Sequence, residues 1–568
     1  MKHIDRALKL TIVENLKLRN AEDMEVTAID YYGTQFSYQQ LFEKIELYKN
    51  AFIHLCGESR KPVTIVTPTI PSSIFAFYGA MDANKIINLT SPGFITAYTK
   101  KYTTELDSDT VVILDKFLSD PLIDSFVSAG VKNLIVTSIA DYMQKAMLHP
   151  SFSTVIKKRN DIAIYTVPEF EKIGKIVDKK TEFHFQKGQI AAYFLTGGTT
   201  SKFPKGVKLY AEGINKMAEL YEDMWFDFEV GARHTLFIPL YYATGAVHGM
   251  HAGLFCGMTL CPRPIYNRFA FAKDLLETKA EIALVAPSHV ATLSWSDLPE
   301  NALKGLKYIF IGGEAINPAQ MKKFRATAKY LGIEYILNGY GMTETGSMSG
   351  ISNKIPESSG DVTVYPIPQV TYRIVDPDTR APASFGQRGV LEVHSPCATA
   401  GYLDEELNHT LFTSDGWVHT GDIAVQTDSG GYRVFGRATD YFSNQGHKYA
   451  MFDMEEKLLE HPGIMEAEAV KFTTKEGERV AFFVVLSNDY RGQEEKVLLY
   501  ISQMDIPGME YLLGTKFIEK FTTNPVTAKR DYLILEEIKD GYLKYEADNK
   551  SIWKVSVSEN GTIIKRND

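Results

Sequence analysis

Short apolar runs alternate with amphipathic stretches through the first part of the chain. Residues 62–68 (P-V-T-I-V-T-P), 86–89, 110–114 and 133–138 are apolar or β-branched, bounded by turn formers and too short for helices, which predicts buried strands. Residues 72–84 form a longer apolar stretch that predicts a helix. The alternation resumes with strand-like runs at 190–195 (I-A-A-Y-F-L), 282–288 (I-A-L-V-A-P-S), 306–312 and 334–338, the last two separated by a helix over 318–331. Strand–helix alternation with apolar strands predicts parallel sheets covered on both faces. From about residue 370 the period shortens to two in V-T-Y-R-I-V-D, G-V-L-E-V-H-S and G-G-Y-R-V-F-G, as in an antiparallel barrel or ribbon. After residue 436 a smaller α+β unit follows, with helices at 453–461 and 494–504 and strands near 465–472 and 479–486. The run 553–565, with Glu559-Asn560-Gly561 at its centre, predicts a hairpin.

A length of 568 residues is too great for a single core and implies more than one domain. The net charge of −9 argues against nucleic acid or an anionic membrane as the main partner. Residues 236–262 contain no Asp, Glu, Lys or Arg, but Pro239, Gly245, Gly249, Gly253 and Gly257 interrupt them. That composition predicts a buried core helix over 243–260 and no membrane span. His248 and His251 share the stretch without a nearby carboxylate and read as interior histidines, not as a metal pair. Cys56, Cys256, Cys261 and Cys397 lack metal-site spacing and read as reduced thiols. The opening M-K-H-I-D-R-A-L-K-L is charged where a secretory leader is apolar, so a cytoplasmic protein is expected.

Candidate chemistry centres on residues 196–207, T-G-G-T-T-S-K-F-P-K-G-V, which leave the end of a predicted strand. Thr196, Gly197, Gly198, Thr199, Thr200 and Lys205 offer backbone N–H groups, hydroxyls and charge to a phosphate. The same composition also suits a solvated loop. Four further turns follow in order. Gly312-Gly313-Glu314 allows close approach of a flat ring or sugar. In Asn338-Gly339-Tyr340-Gly341-Met342-Thr343-Glu344, Tyr340 can stack on a base, Thr343 can bond a phosphate and Glu344 can hold Mg²⁺. His419-Thr420-Gly421-Asp422 places a carboxylate suited to ribose hydroxyls after a glycine turn, and Gly436-Arg437-Ala438-Thr439-Asp440 follows.

This ordered set resembles the adenylate-forming superfamily of acyl- and aryl-CoA synthetases, luciferases and peptide-synthetase adenylation domains. The resemblance runs from Gln35-Phe36-Ser37-Tyr38-Gln39-Gln40-Leu41 to Pro525-Val526-Thr527-Ala528-Lys529. It implies an α/β fold, with a large N-terminal domain (1–435) of two stacked α/β subdomains plus a β-barrel. A small mobile α+β C-terminal domain (436–568), ending in a hairpin extension, completes it. It also implies ATP, Mg²⁺ and CoA as cofactors, and activation of a small-molecule carboxylic acid to an acyl-adenylate. The thiol acceptor is CoA or the phosphopantetheine of an acyl carrier protein. A catalytically weakened homologue that binds a nucleotide or acyl ligand is the reading from another class.

Residue by residue, the resemblance assigns the nucleotide to Gly312, Gly313, Glu314, Asn338, Gly339, Tyr340, Gly341, Asp422 and Arg437, beside the glycine-rich loop. Thr343, Glu344 and Lys529 are catalytic positions, Glu344 is the metal ligand, Asp440 the hinge, and Gly446 borders the thiol path. The sequence departs from the family's pattern in four places, one of them Tyr242, which stands where the family has a histidine. The phosphate loop has one extra residue before Pro204, Ser443 stands where a lysine is common, and Lys529 comes two residues early after Pro525 and Thr527. Pro239-Leu240-Tyr241-Tyr242-Ala243-Thr244-Gly245 resembles the family's acid-site segment, so Tyr242 and Gly245 are expected at the substrate. Tyr242 supplies no carboxylate for an α-ammonium group, and the apolar stretch after it points to a fatty or aryl acid, its glycines leaving room for a chain.

Overall fold

A computed structural model describes residues 9–145, 148, 152, 156–176, 181–196, 205–224, 226–264, 270–294, 296–355, 359–474, 477–519 and 521, and the backbone of 553–558 and 561–566. After the helix Ile12–Arg19 comes the opening hairpin, β1 (Thr27–Tyr31) and β2 (Thr34–Ser37). The apolar runs that follow become β3 (Pro62–Val66), β4 (Ile86–Leu89), β5 (Thr110–Leu114), β6 (Asn133–Thr137), β7 (Ala163–Thr166), β8 (Ile190–Thr196) and β9 (Lys205–Tyr210). They form a seven-stranded sheet of order β7-β6-β5-β3-β4-β8-β9, in which only β8 and β9 run antiparallel.

A second sheet is built from β10 (Arg233–Leu236), β11 (Thr259–Pro262), β12 (Ile282–Val285), β13 (Tyr308–Ile311), β14 (Tyr335–Tyr340), β15 (Gly350–Ile351) and β16 (Tyr365–Pro366). With the opening hairpin its order is β16-β15-β14-β13-β12-β10-β11-β1-β2, parallel from β14 to β1. One apolar cluster runs through both sheets, from Ile65 and Ile87 to Leu284 and Phe310. Crossover helices end where the sequence says. The helix Pro318–Leu331 has Asn317 accepting from the Gln320 N–H at its start, Pro318 in its first turn and Gly332 in the left-handed conformation after it. β12 is shorter than its apolar run because Pro287 opens the next helix, Pro287–Leu293.

The period-two segments form the antiparallel sheet β17 (Thr371–Val375), β18 (Gly389–His394), β19 (Val418–Gln426) and β20 (Tyr432–Arg437). The hairpin β21 (Tyr441–Asn444) and β22 (His447–Ala450) follows. Then β23 (Ile464–Thr474), β24 (Gly477–Leu486), β25 (Leu512–Phe517), β26 (Trp553–Ser558) and β27 (Gly561–Arg566) make a five-stranded sheet, to which the expected terminal hairpin contributes β26 and β27. Phe452 of the helix Met451–Glu460 stacks on Phe435 of β20 at 5.4 Å, and Asp453 accepts two bonds from Arg388 at 2.7 and 2.9 Å.

The stretch 243–260 corrects the sequence reading in two ways. It is a π-helix over Thr244–Ala252 continued by one α-turn, Gly253–Phe255; the chain then turns back at Gly257 into β11, so Leu260 lies in a strand. Its glycines also leave no open lane for a chain. A Cβ on Gly245 would sit 2.2 Å from the Pro239 carbonyl oxygen. One on Gly249 would sit 3.1 and 3.2 Å from Leu236 and Leu284, and one on Gly253 3.1 Å from Leu260. The missing side chains let the helix lie directly on β10, β11 and β12.

Among the described residues no helix is long and apolar enough to cross a membrane, and no group of His, Cys, Asp and Glu is arranged to hold a metal by itself. All four cysteines are free, and burial pushes the Cys261 and Cys397 thiols up to about 12.

Candidate functional site

The polar turns converge where β13 and β14 end, the side of a parallel sheet on which ligands bind. Ile311 pairs with Asn338, so Gly312-Gly313 leave the sheet beside Gly339, which stays in β14 opposite Ile351 of β15. Gly312 lies close enough to Gly339 that a Cβ on it would be 3.6 Å from the Gly339 carbonyl oxygen. Glu314 is half-buried beyond them. The Asn338 amide donates to the Val362 carbonyl at 2.7 Å, so this side chain braces the turn. Gly341 has no room for a side chain, since a Cβ would lie 1.8 Å from the Ser347 carbonyl oxygen.

Asp422 reaches this edge from β19 through a bulge. Val390 pairs with Ile423 but Glu392 pairs with His419, leaving an irregular step at Thr420-Gly421-Asp422 with Gly421 at φ +74°. The bulge aims the Asp422 carboxylate at Tyr340, whose hydroxyl donates to Oδ2 at 2.6 Å. Arg437, directly across the β19–β20 ladder, places Nε 3.2 Å from Oδ1 and donates from Nη1 to the Thr420 carbonyl at 2.7 Å. Burial pushes the Asp422 carboxyl up, while Arg437 and the Tyr340 hydroxyl oppose that shift. Asp422, by its charge, holds the Arg437 guanidinium above its ordinary value.

Glu344 sits in the turn Thr343–Thr345 just past β14 and is buried. Its Oε1 accepts the Tyr402 hydroxyl at 2.9 Å, and its carbonyl accepts the Thr399 N–H at 2.9 Å. Lys205, at the start of β9, lies over the Tyr402 ring with Nζ 5.0 Å from the centroid. Tyr402 thus joins the far end of the glycine-rich loop to Glu344. The sequence reading missed it, and nothing in G-Y-L-D marks it, because its partner is 58 positions away. Asp440 closes the turn between β20 and β21 by accepting the Arg437 N–H at 2.8 Å, and burial pushes its carboxyl up.

The structure therefore brings together Gly312, Gly313, Gly339, Tyr340, Gly341, Thr343, Glu344, Asp422 and Arg437, with Lys205 at the margin and Asp440 next along the chain. Thr196 ends β8 opposite Lys205. Gly197, Gly198, Thr199, Thr200 and Lys529 lie outside the described residues. Tyr242 is half-buried before the π-helix, and Gly245 is buried in its first turn. Gly446 stands apart, in the exposed turn of the β21–β22 hairpin.

The site is an acidic cluster of Glu344, Asp422 and Asp440 around one guanidinium, beside glycine turns open to a flat ligand. That combination suits a nucleotide accompanied by a cation. The sequence pattern of the AMP-binding enzyme family matches residues 16–403, and the chain belongs to that family. It is 24% identical to the long-chain-fatty-acid–CoA ligase of Bacillus subtilis, over 83% of this chain and 84% of that protein. It is also 24% identical to 4-coumarate–CoA ligase 2 of Petroselinum crispum, over 83% of each. Its fold is similar to that of ATP-bound MatB from Rhodopseudomonas palustris, with a TM-score of 0.78 at 18% identity, covering 94% of this chain and all of that one.

Proposed function

We propose that the chain activates a carboxylic acid with ATP and passes the acyl group to the thiol of CoA. The observation that carries this reading is the meeting of Tyr340, Asp422, Arg437 and Glu344 at one edge of the nine-stranded sheet. A carboxylate does not acylate a thiol near neutral pH, because its oxygen is a poor leaving group. In the first half-reaction a carboxylate oxygen attacks the α-phosphorus of ATP, and the bond to the bridging oxygen breaks to release pyrophosphate. In the second, the thiol sulfur attacks the acyl carbon and AMP departs. The protein contributes positioning and fixed charge. Asp422 orients the ribose, Tyr340 and the glycine turns border the base, and Arg437 offsets the surrounding carboxylates. The turn closed by Asp440 is the pivot for a C-terminal domain beginning near residue 436, whose motion gates the two half-reactions.

Glu344 fits Mg²⁺, a hard cation that takes carboxylate oxygens. With Oε1 held by Tyr402, its second oxygen and the Thr343 hydroxyl are the oxygen ligands on offer. The cation would neutralise the departing pyrophosphate. Tyr402 is then a positioning residue, and its loss costs metal affinity on the scale known for groups that hold a ligand in place. Tyr402→Phe is expected to raise the Mg²⁺ concentration for half-maximal pyrophosphate exchange roughly 10–100-fold. Titration of Mn²⁺ binding in the presence of ATP, followed by water-proton relaxation, checks it without turnover.

Pyrophosphate exchange with a panel of carboxylic acids, with CoA or a phosphopantetheinylated carrier protein then added, tests the whole reading. No exchange with any acid would leave a nucleotide-binding homologue. If Tyr242 borders the acid, Tyr242→Ala is expected to reorder the preferred acids by about 1–3 kcal/mol per methylene-sized change while ATP affinity is retained. An unaltered acid profile would place Tyr242 elsewhere.

A further inference from the structure

The helix Met451–Glu460 divides its two faces between different neighbours. Met454 and Leu458, four positions apart, join the apolar core of Ile464, Val480 and Phe482. Phe452 lies outside that core, in a small apolar cluster with Val375, Val390 and Ile423 of β17, β18 and β19. Around this seat, three cations from residues before 436 each hold a group between 453 and 464. Arg388 donates from both Nη atoms to the Asp453 carboxylate, at 2.7 and 2.9 Å, with its guanidinium carbon 4.1 Å from the Phe435 ring centroid. Arg433 of β20 bonds Glu456 and lies 4.6 Å from the same ring. Lys323 of the helix Pro318–Leu331 donates to the Ile464 carbonyl at 3.3 Å. Lys448 of β22 adds a looser pair, 3.9 Å from Asp378. Every one of these polar contacts, like the stack of Phe452 on Phe435, joins residues on opposite sides of Asp440.

We propose that Arg388, with Asp453 as its partner, is a positioning residue that latches the C-terminal part in the orientation used for acyl-adenylate formation, and that its release precedes attack by the thiol. The inference rests on the reading above, in which the chain turns at Asp440 between the half-reactions. Such a turn parts the groups on its two sides, so these contacts open once per turnover. In the latched arrangement Gln445, Gly446, His447 and Lys448 are exposed, so the glycine expected on the thiol path stands in solvent. The strength of the pair fits a latch that opens and closes. The Arg388 and Asp453 side chains are 40% and 33% exposed, so water and salt weaken their attraction. A fully buried pair would be far costlier to break. Two parallel bonds and the aromatic ring beneath the guanidinium still fix one geometry.

Arg388→Gln and Asp453→Asn, with each half-reaction measured separately, test this. In either variant, thioester formation from supplied acyl-adenylate and CoA is expected to accelerate roughly 3–10-fold, the range for one exposed pair with its cation–π contact, while pyrophosphate exchange does not rise. Combining the two substitutions should add nothing further, and Arg388→Asp together with Asp453→Arg should recover the wild-type balance. A purely structural role would slow both half-reactions together. Carbodiimide coupling of Lys448 to Asp378, followed by mass spectrometry of the joined peptides, reads the latched orientation without turnover. Its yield should fall several-fold in Arg388→Gln. Rates unchanged or equally reduced in both half-reactions overturn the proposal, as does a coupling yield that Arg388→Gln leaves unaltered. Either result in a protein that activates acids defeats this inference alone, while activation of no acid defeats the proposed function and the inference with it.

Discussion

Asp422→Ala is expected to weaken ATP binding by about 1.5–3 kcal/mol, the range for hydrogen bonds to a charged group. The carboxylate is already fixed before a nucleotide arrives. Tyr340 donates to one oxygen, Arg437 faces the other, and the Asp422 N–H is held by the Thr420 hydroxyl at 3.0 Å. A preorganised acceptor loses little freedom on accepting ribose hydroxyls, so most of the bond energy reaches affinity. The variant should remain folded, because Arg437 keeps its bond to the Thr420 carbonyl and its side chain is 47% exposed. Calorimetric titration with ATP checks the expectation, and unchanged affinity in a folded variant would remove Asp422 from the nucleotide site.

Lys529→Ala is expected to lower pyrophosphate exchange by about 10²–10³, the usual loss for one preorganised donor at developing charge. Lys529 lies outside the described residues, and its assignment rests on the match of Pro525, Thr527 and the K-R-D-Y-L-I-L run to the family's C-terminal lysine motif. A cation there would meet the acid's carboxylate and the α-phosphate during adenylation only. The C-terminal domain must then turn before the thiol attacks. Thioester formation from supplied acyl-adenylate should therefore be nearly preserved. Equal loss in both half-reactions would indicate defective docking of the domain, and no loss in either would assign the role to another residue.

Much of the architecture was legible because it is encoded over short spans. The helix Pro318–Leu331 carries its own start and stop residues, and the strands at 62–66, 86–89 and 110–114 announce themselves as apolar runs between turns. The terminal hairpin was legible from the turn-forming sequence Glu559-Asn560-Gly561 between alternating segments, which become β26 and β27. The site's glycine turns were legible for the same reason, each combining backbone freedom with a polar side chain within a few positions.

The sequence by itself thus determined many of the strands and helices and most of the residues gathered at the candidate nucleotide site, but not the hairpin β1–β2 or the strands β7, β9, β10 and β11. The tertiary structure decided how those residues engage one another. Tyr340 meets Asp422 across 82 positions, and Tyr402 meets Glu344 across 58, through sheet register and a bulge that no local pattern specifies. It also decided the form of the apolar stretch after Tyr242. Composition predicts a helix there, but only the fold seats Gly245 against the Pro239 carbonyl, and Gly249 and Gly253 against Leu236, Leu284 and Leu260 of the sheet. Periodicity and capping act between residues a few positions apart, whereas close packing and hydrogen-bond partners across a sheet are fixed only when distant segments meet.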